Sequence, residues 1–169
     1  MKSLVVGTGD CQITRERDAH LITYGLGSCI GVGLYDPAVN VGGLLHVLLP
    51  EASLDAEKAA RNPCMFADTG LTEILSRCVN QGAIKSRMKV WIAGGASVMD
   101  SGGVFNIGKR NQLAIKKTLW KLGLMIHAED VGGTCSRTVR LNLADGTFWV
   151  RPSGAPEQEL KPRGFAKAS

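Results

Sequence analysis

The apolar and polar positions divide the chain into many short strands and two longer helical stretches. Leu4-Val5-Val6 is a brief apolar run closed by Gly7-Thr8-Gly9, and Cys11 to Thr14 reads as its continuation. After the charged turn Arg15 to Asp18, His20 to Tyr24 alternates with period two, as a half-buried strand does. The runs Ile30 to Tyr35 and Val41 to Leu49 are rich in β-branched and aromatic residues and in glycine. The Asp36-Pro37 signal between them predicts two strands joined by a tight connection over 37–40. The polar stretch 51–63 has weak periodicity and reads as a long loop, either exposed and variable or the entrance wall of a site. Over 65–80, Ala67, Leu71, Ile74, Leu75, Cys78 and Val79 recur at helical spacing, with Gly82 as the stop. Met88 to Ala93 predicts a strand and Lys109 to Leu122 a second helix, capped by Gly123. The segment between them, Gly94 to Gly108, is glycine-rich and carries Ser97, Ser101 and Asn106. Leu124 to Asp130 predicts a strand, and Thr138 to Leu143 and Thr147 to Val150 flank the hairpin signal Asp145-Gly146. The pattern is mixed α/β, with one domain over 1–152 and a basic, flexible tail over 153–169.

Composition narrows the class. The chain has 169 residues, 44% hydrophobic and 21% charged, with 21 glycines, as suits one soluble domain of strands and tight turns. No apolar run is long enough to span a bilayer, and the N-terminus lacks the apolar core of a signal peptide, so a cytoplasmic protein without membrane insertion is expected. The five cysteines are irregularly spaced without a C-x-x-C, which argues against a disulfide framework or a Cys₄ metal site. The net charge of +5 is scattered and accompanied by no nucleic-acid-binding motif, so an acidic protein surface is a better partner than nucleic acid.

Candidate chemistry concentrates in Thr23 to Pro50. Gly25 and Gly27 form a turn that presents Ser28 and Cys29 at the start of one strand, and His46 lies on the next. Suppose these strands pair antiparallel with an odd sum of paired residue numbers. Cys29 then stands opposite Leu48, and His46 lies on the same face one diagonal away, at ~7–8 Å between backbones. A slip of one residue would turn His46 to the other face. A thiol and an imidazole beside a glycine turn suit nucleophilic acyl transfer, with the backbone N–H groups of Ser28 and Cys29 holding the oxyanion. A small buried cysteine and a structural histidine fit the same pattern. His127, next to Glu129 and Asp130, makes a poor metal ligand set and reads as structural.

The stretch T-Y-G-L-G-S-C-I-G-V (23–32) with G-L-L-H-V-L-L-P (43–50) resembles the signature of CheD, the chemoreceptor glutamine deamidase family of chemotaxis. The likeness continues through F-A-D-T (66–69), I-A-G-G-A (92–96), N-I-G-K-R-N (106–111) and A-E-D-V-G-G (128–133). It implies a layered α/β/β mixed-sheet domain like the cysteine-hydrolase fold of deamidase toxins. It also implies hydrolysis of glutamine side chains to glutamate on methyl-accepting chemotaxis receptors, through a Cys thioester and with release of ammonia. The roles it implies are Cys29 as nucleophile, His46 as base and Thr23 as the residue that orients His46, with Gly27 and Ser28 in the site loop. A thiolate–imidazolium pair is the expected active form. No cofactor and no metal are required. The CheC phosphatase is a further partner of some members, so a non-catalytic adaptor for receptors or CheC is the alternative. Transfer to an amine, as in a transglutaminase, is a second.

Overall fold

Two strands are buried along their whole length: β4 (Ile30–Asp36) and β5 (Val41–Val47). A strand covered on both faces needs apolar or absent side chains on both, which explains the run of Val, Leu, Ile and Gly. Asn40, at a φ of 53°, makes the turn between them. The computed structural model in which they lie describes residues 1–97 and 106–163, so the expectations for Ser101 and for the last residues of the tail fall outside it.

β4 and β5 sit in a five-stranded sheet with β2 (Cys11–Thr14), β6 (Lys89–Gly94) and β7 (Ile126–Val131), in the order β2-β5-β4-β6-β7. The second sheet is β1 (Lys2–Val5), β3 (Ala19–Leu26), β8 (Arg137–Asn142), β9 (Thr147–Pro152) and β10 (Gln158–Glu159), in the order β1-β3-β8-β9-β10. Both are mixed: β1–β3 and β6–β7 run parallel, the other neighbours antiparallel. Ile30, Val32 and Leu34 of β4 pack under helices α2 (Ala67–Asn80) and α3 (Ile107–Leu122), against Leu71, Ile74, Ile115 and Leu119. The opposite face of this inner sheet, with Cys29, Leu44 and Trp91, packs on Leu21, Leu26, Val139 and Phe148 of the outer one. The inner sheet is thus covered by helices on one side and by a sheet on the other, as mixed α/β content requires.

Close approach of the sheets depends on missing side chains. A Cβ at Gly33 would lie 2.6 Å from the Phe148 ring, and one at Gly42 would lie 2.6 Å from Leu143. Phe148 fills the space at Gly33 and stacks on Trp91 with ring centres 5.4 Å apart and planes at 5°. His127 meets the same indole edge-on at 5.5 Å.

Asp36, wholly buried, closes β4. It accepts hydrogen bonds from the Ala38 and Ile84 N–H groups and from the Arg87 guanidinium at 2.9–3.2 Å. Burial alone would raise this carboxyl, but the Arg87 guanidinium and the two N–H groups outweigh it and hold it below the usual carboxylate range.

Three sequence expectations need correction. β2 does not extend β1 but crosses to the inner sheet beside β5, because Gly9 turns the chain at a φ of 70°. The stretch 51–63 is not a loop: it holds a 3-10 turn at Ala52–Leu54 and a helix, α1 (Ala56–Arg61). Asp55 caps that helix by accepting the Lys58 N–H at 3.1 Å, and Ala59 is buried beneath it. Residues 153–160, assigned to the tail, turn back so that β10 pairs with β9 and the Leu160 N–H reaches Phe148 O at 2.8 Å. Arg140 and Glu157 clamp this return with two hydrogen bonds of 3.1 and 2.8 Å.

Gly33→Ala is expected to lower stability by about 1–3 kcal/mol, because the added methyl must displace Phe148 from Trp91. A urea titration followed by tryptophan fluorescence checks this through the unfolding midpoint.

Candidate active site

The site begins with register. β4 and β5 pair Ile30 with Val47 and Gly31 with His46, so the paired numbers sum to 77, an odd number. His46 is therefore on the face of β4 that carries Gly31 and Cys29. Gly31, directly opposite His46, has no side chain, and the Leu26 and Val139 side chains fill the space over it, where a Cβ would lie 3.0 and 3.1 Å from them. That face looks onto the outer sheet, from which Thr23 projects.

Thr23 joins the sheets. Its hydroxyl is 2.6 Å from Val6 O and 2.7 Å from His46 Nδ1, and both side chains are buried. A hydroxyl has one proton, and a carbonyl can only accept. Thr23 therefore donates to Val6 and accepts from Nδ1–H. This fixes the imidazole tautomer, with Nε2 bearing the lone pair. Nε2 is buried and, among the described residues, has no hydrogen-bond partner. The His46 backbone is held as well: its N–H donates to Asp10 O at 3.0 Å, and Gly9 N–H donates to His46 O at 2.9 Å.

The Gly25–Cys29 turn carries the chain from outer to inner sheet. A bulge between Thr23 and Leu26 shifts the pairing with β8, so that both residues point inward although three positions apart. Gly25, at a φ of 69°, supplies the backbone freedom. Gly27 O accepts from Ala96 N–H, and Cys29 O from Gly95 N–H, each at 2.8 Å. Gly94, at a φ of 116°, lies so close beneath that a Cβ would sit 2.2 Å from Cys29 O. Arg137, nearly buried, braces this loop with hydrogen bonds to Gly94 O and Gly132 O at 3.3 and 2.9 Å. Among the described residues, the N–H groups of Ser28 and Cys29 have no oxygen acceptor.

Burial governs the electrostatics. It pushes the Cys29 thiol up, with the residue's own backbone N–H acting in the opposite sense. It pushes the His46 imidazole down to about 4. Burial thus disfavours the charged form of each group taken by itself.

Thr23 and His46 thus meet between the two sheets, and Cys29 lies on the same face of the inner sheet, after the turn of Gly27 and Ser28. Sequence reading assigns no role to two supporting residues. Arg137 falls just before a predicted strand, and Asn111 closes the N-I-G-K-R-N stretch of the resemblance. The Asn111 Nδ2 donates to Ser28 O at 2.9 Å and to Leu48 O at 3.1 Å. Among the described residues no group of His, Cys, Asp and Glu is arranged to hold a metal ion.

Residues 48–152 match the family model described as CheD chemotactic sensory transduction. The chain is 45% identical over 162 residues to a protein of Solibacter usitatus named probable chemoreceptor glutamine deamidase CheD, covering 96% of this chain and 95% of that one. The chain belongs to the CheD family. CheD 1 of Syntrophus aciditrophicus, which carries the same description, is 45% identical over 95% of this chain and its own full length. The Pyrococcus horikoshii CheD, also named a probable chemoreceptor glutamine deamidase, is 40% identical over 153 residues, 89% of this chain and 93% of its own. The family model begins its match at Leu48, beyond Thr23, Cys29 and His46. The alignments with the Solibacter and Syntrophus CheD proteins are long enough to include all three.

A histidine held near a pKa of 4 makes stability depend on pH. The unfolded chain takes up this proton below about pH 6.5, while the folded chain resists until about 4. Stability is then full above 6.5 and falls by about 3 kcal/mol on acidification through 4. His46→Gln is expected to remove this share of the acid sensitivity, read as a smaller difference between urea midpoints at pH 7 and pH 4.5.

Proposed function

We propose that this CheD protein deamidates glutamine side chains of methyl-accepting chemotaxis receptors, with Cys29 as nucleophile, His46 as base and Thr23 as the group that orients it. The hydrogen-bonded Val6–Thr23–His46 chain carries the reading, because it directs a basic nitrogen to the face that bears the thiol. The names of the relatives support the reaction and the receptor substrate.

Burial favours a neutral start for both groups, so the proton moves as the substrate is attacked. The Cys29 sulfur bonds to the amide carbon while its proton passes to His46 Nε2, and the carbonyl π pair moves onto oxygen. The N–H groups of Ser28 and Cys29 receive that oxygen. His46 returns the proton to the nitrogen, the C–N bond breaks, and ammonia leaves a thioester. Water then gives a proton to His46 and its oxygen bonds to the thioester carbon. The C–S bond breaks, the sulfur recovers the proton, and glutamate is released. Thr23 differs from a triad aspartate in bringing no charge, so its contribution is tautomer and orientation.

The helices and paired sheets about the inner strands support kinship with the cysteine-hydrolase fold of deamidase toxins. Among the described residues no helix is long and apolar enough to cross a membrane, which accords with action on the cytoplasmic part of a receptor. CheC is a further proposed partner.

Mass spectrometry of a receptor cytoplasmic fragment from the same cell tests the reading. Wild type is expected to convert specific glutamines to glutamate, and Cys29→Ala and His46→Ala to convert none. Conversion by no form of the protein would favour an adaptor, and cross-linked product a transglutaminase. Thr23→Val is expected to cost about 1–3 kcal/mol of stability through the orphaned Nδ1–H, and most of the rate, while Thr23→Ser retains both.

A further inference from the structure

One buried polar residue that this chemistry leaves unused is Asn111. Helix α3 can approach the nucleophile turn because Gly108 has no side chain: a Cβ there would lie 2.5 Å from Ala96 O and 2.6 Å from Gly95 O. Three residues on, Asn111 projects from the same face of the helix. Its Nδ2 bridges Ser28 O and Leu48 O at 2.9 and 3.1 Å. The two carbonyls fix the orientation of the amide, because they can only accept.

These carbonyls flank Cys29. Ser28 precedes it, and Leu48 is the next position on β5 beyond the last pair, Ile30 with Val47. β5 turns away there, since the Leu48 and Leu49 N–H groups both go to Met65 O, at 2.9 and 3.0 Å. The Asn111 amide enters where the ladder ends. In a planar trans peptide the C=O and the following N–H point in opposite directions. Drawing the Ser28 carbonyl toward α3 turns the Cys29 N–H away from the helix. The side away from the helix is the inter-sheet face, where the thiol and His46 lie. Gly27 O, held by Ala96 N–H, orients the Ser28 N–H by the same geometry.

We propose that Asn111 is a positioning residue of the deamidation reaction, which aims the Cys29 backbone N–H at the oxyanion by holding the Ser28 carbonyl. The inference rests on Cys29 being the nucleophile. Asn111 exchanges no proton and no electron pair in any step.

Asn111→Ala and the near-isosteric Asn111→Asp, which has no N–H to give, test it on the receptor fragment. Ammonia release gives kcat and KM, and the alkylation of Cys29 by iodoacetamide reports the thiol alone, since that displacement of iodide forms no oxyanion. The expected result is a kcat lower by roughly tenfold to a hundredfold, with KM within about twofold and the alkylation rate within about threefold of wild type. An unchanged kcat, an effect confined to KM, or an alkylation rate that falls in parallel with kcat would overturn it. Failure of both variants to fold, read by circular dichroism, would overturn it too, by making Asn111 a residue of the fold. Ammonia release that survives Cys29→Ala is a separate outcome, which removes the nucleophile assignment and this inference with it.

Discussion

Everything at the site depends on how β4 is registered against β5. With Gly31 opposite His46, the imidazole and Cys29 share one face, and that face is turned to the outer sheet. Moving the pairing by one residue would bury His46 among the helix-facing leucines and valines and bring Leu45 or Val47 toward the thiol. The register is itself protected by burial on both sides. Ile74 packs against Gly43 from one side and Phe148 against Gly33 from the other. A slipped strand would drive side chains into those contacts.

Within this frame, Thr23 does two things with one oxygen. It ties an outer-sheet strand to an inner-sheet strand, and it determines which imidazole nitrogen is basic. The same burial that makes these hydrogen bonds strong disfavours charge on the thiol and on the imidazole. In the proposed reaction this places charge separation at the point where a substrate carbonyl takes up the electron pair.

The local part of this was legible in the sequence. The two strands, their turn, the Asp145-Gly146 hairpin and both long helices follow from periodicity and turn residues. Cys29 and His46 stand out because a glycine turn and apolar strands frame them, whereas Thr23 enters only through the resemblance to the CheD signature. What could not be read was non-local. Asn111 ends the N-I-G-K-R-N stretch, but nothing local says what its amide holds, since its partners Ser28 and Leu48 are 83 and 63 positions away. The crossing of β2 to the other sheet depends on the backbone of Gly9. The return of β10 depends on a pair, Arg140 and Glu157, that carries no periodic signal. The helix at 56–61 was an exception, since the cap at Asp55 was local and visible but the run that follows is short and half-polar.

The turn that presents Cys29 is fastened by groups made much later in the chain: Gly95, Ala96 and Asn111. A polypeptide emerging from the ribosome as far as β5 already contains both the sulfur and the imidazole. It still lacks the helix and the loop that hold the carbonyls of residues 27–29. The nucleophile turn of the proposed mechanism is thus unfastened throughout the first half of synthesis and gains its last anchor from α3, while β8, β9 and β10, which complete the sheet over the thiol, are made later still.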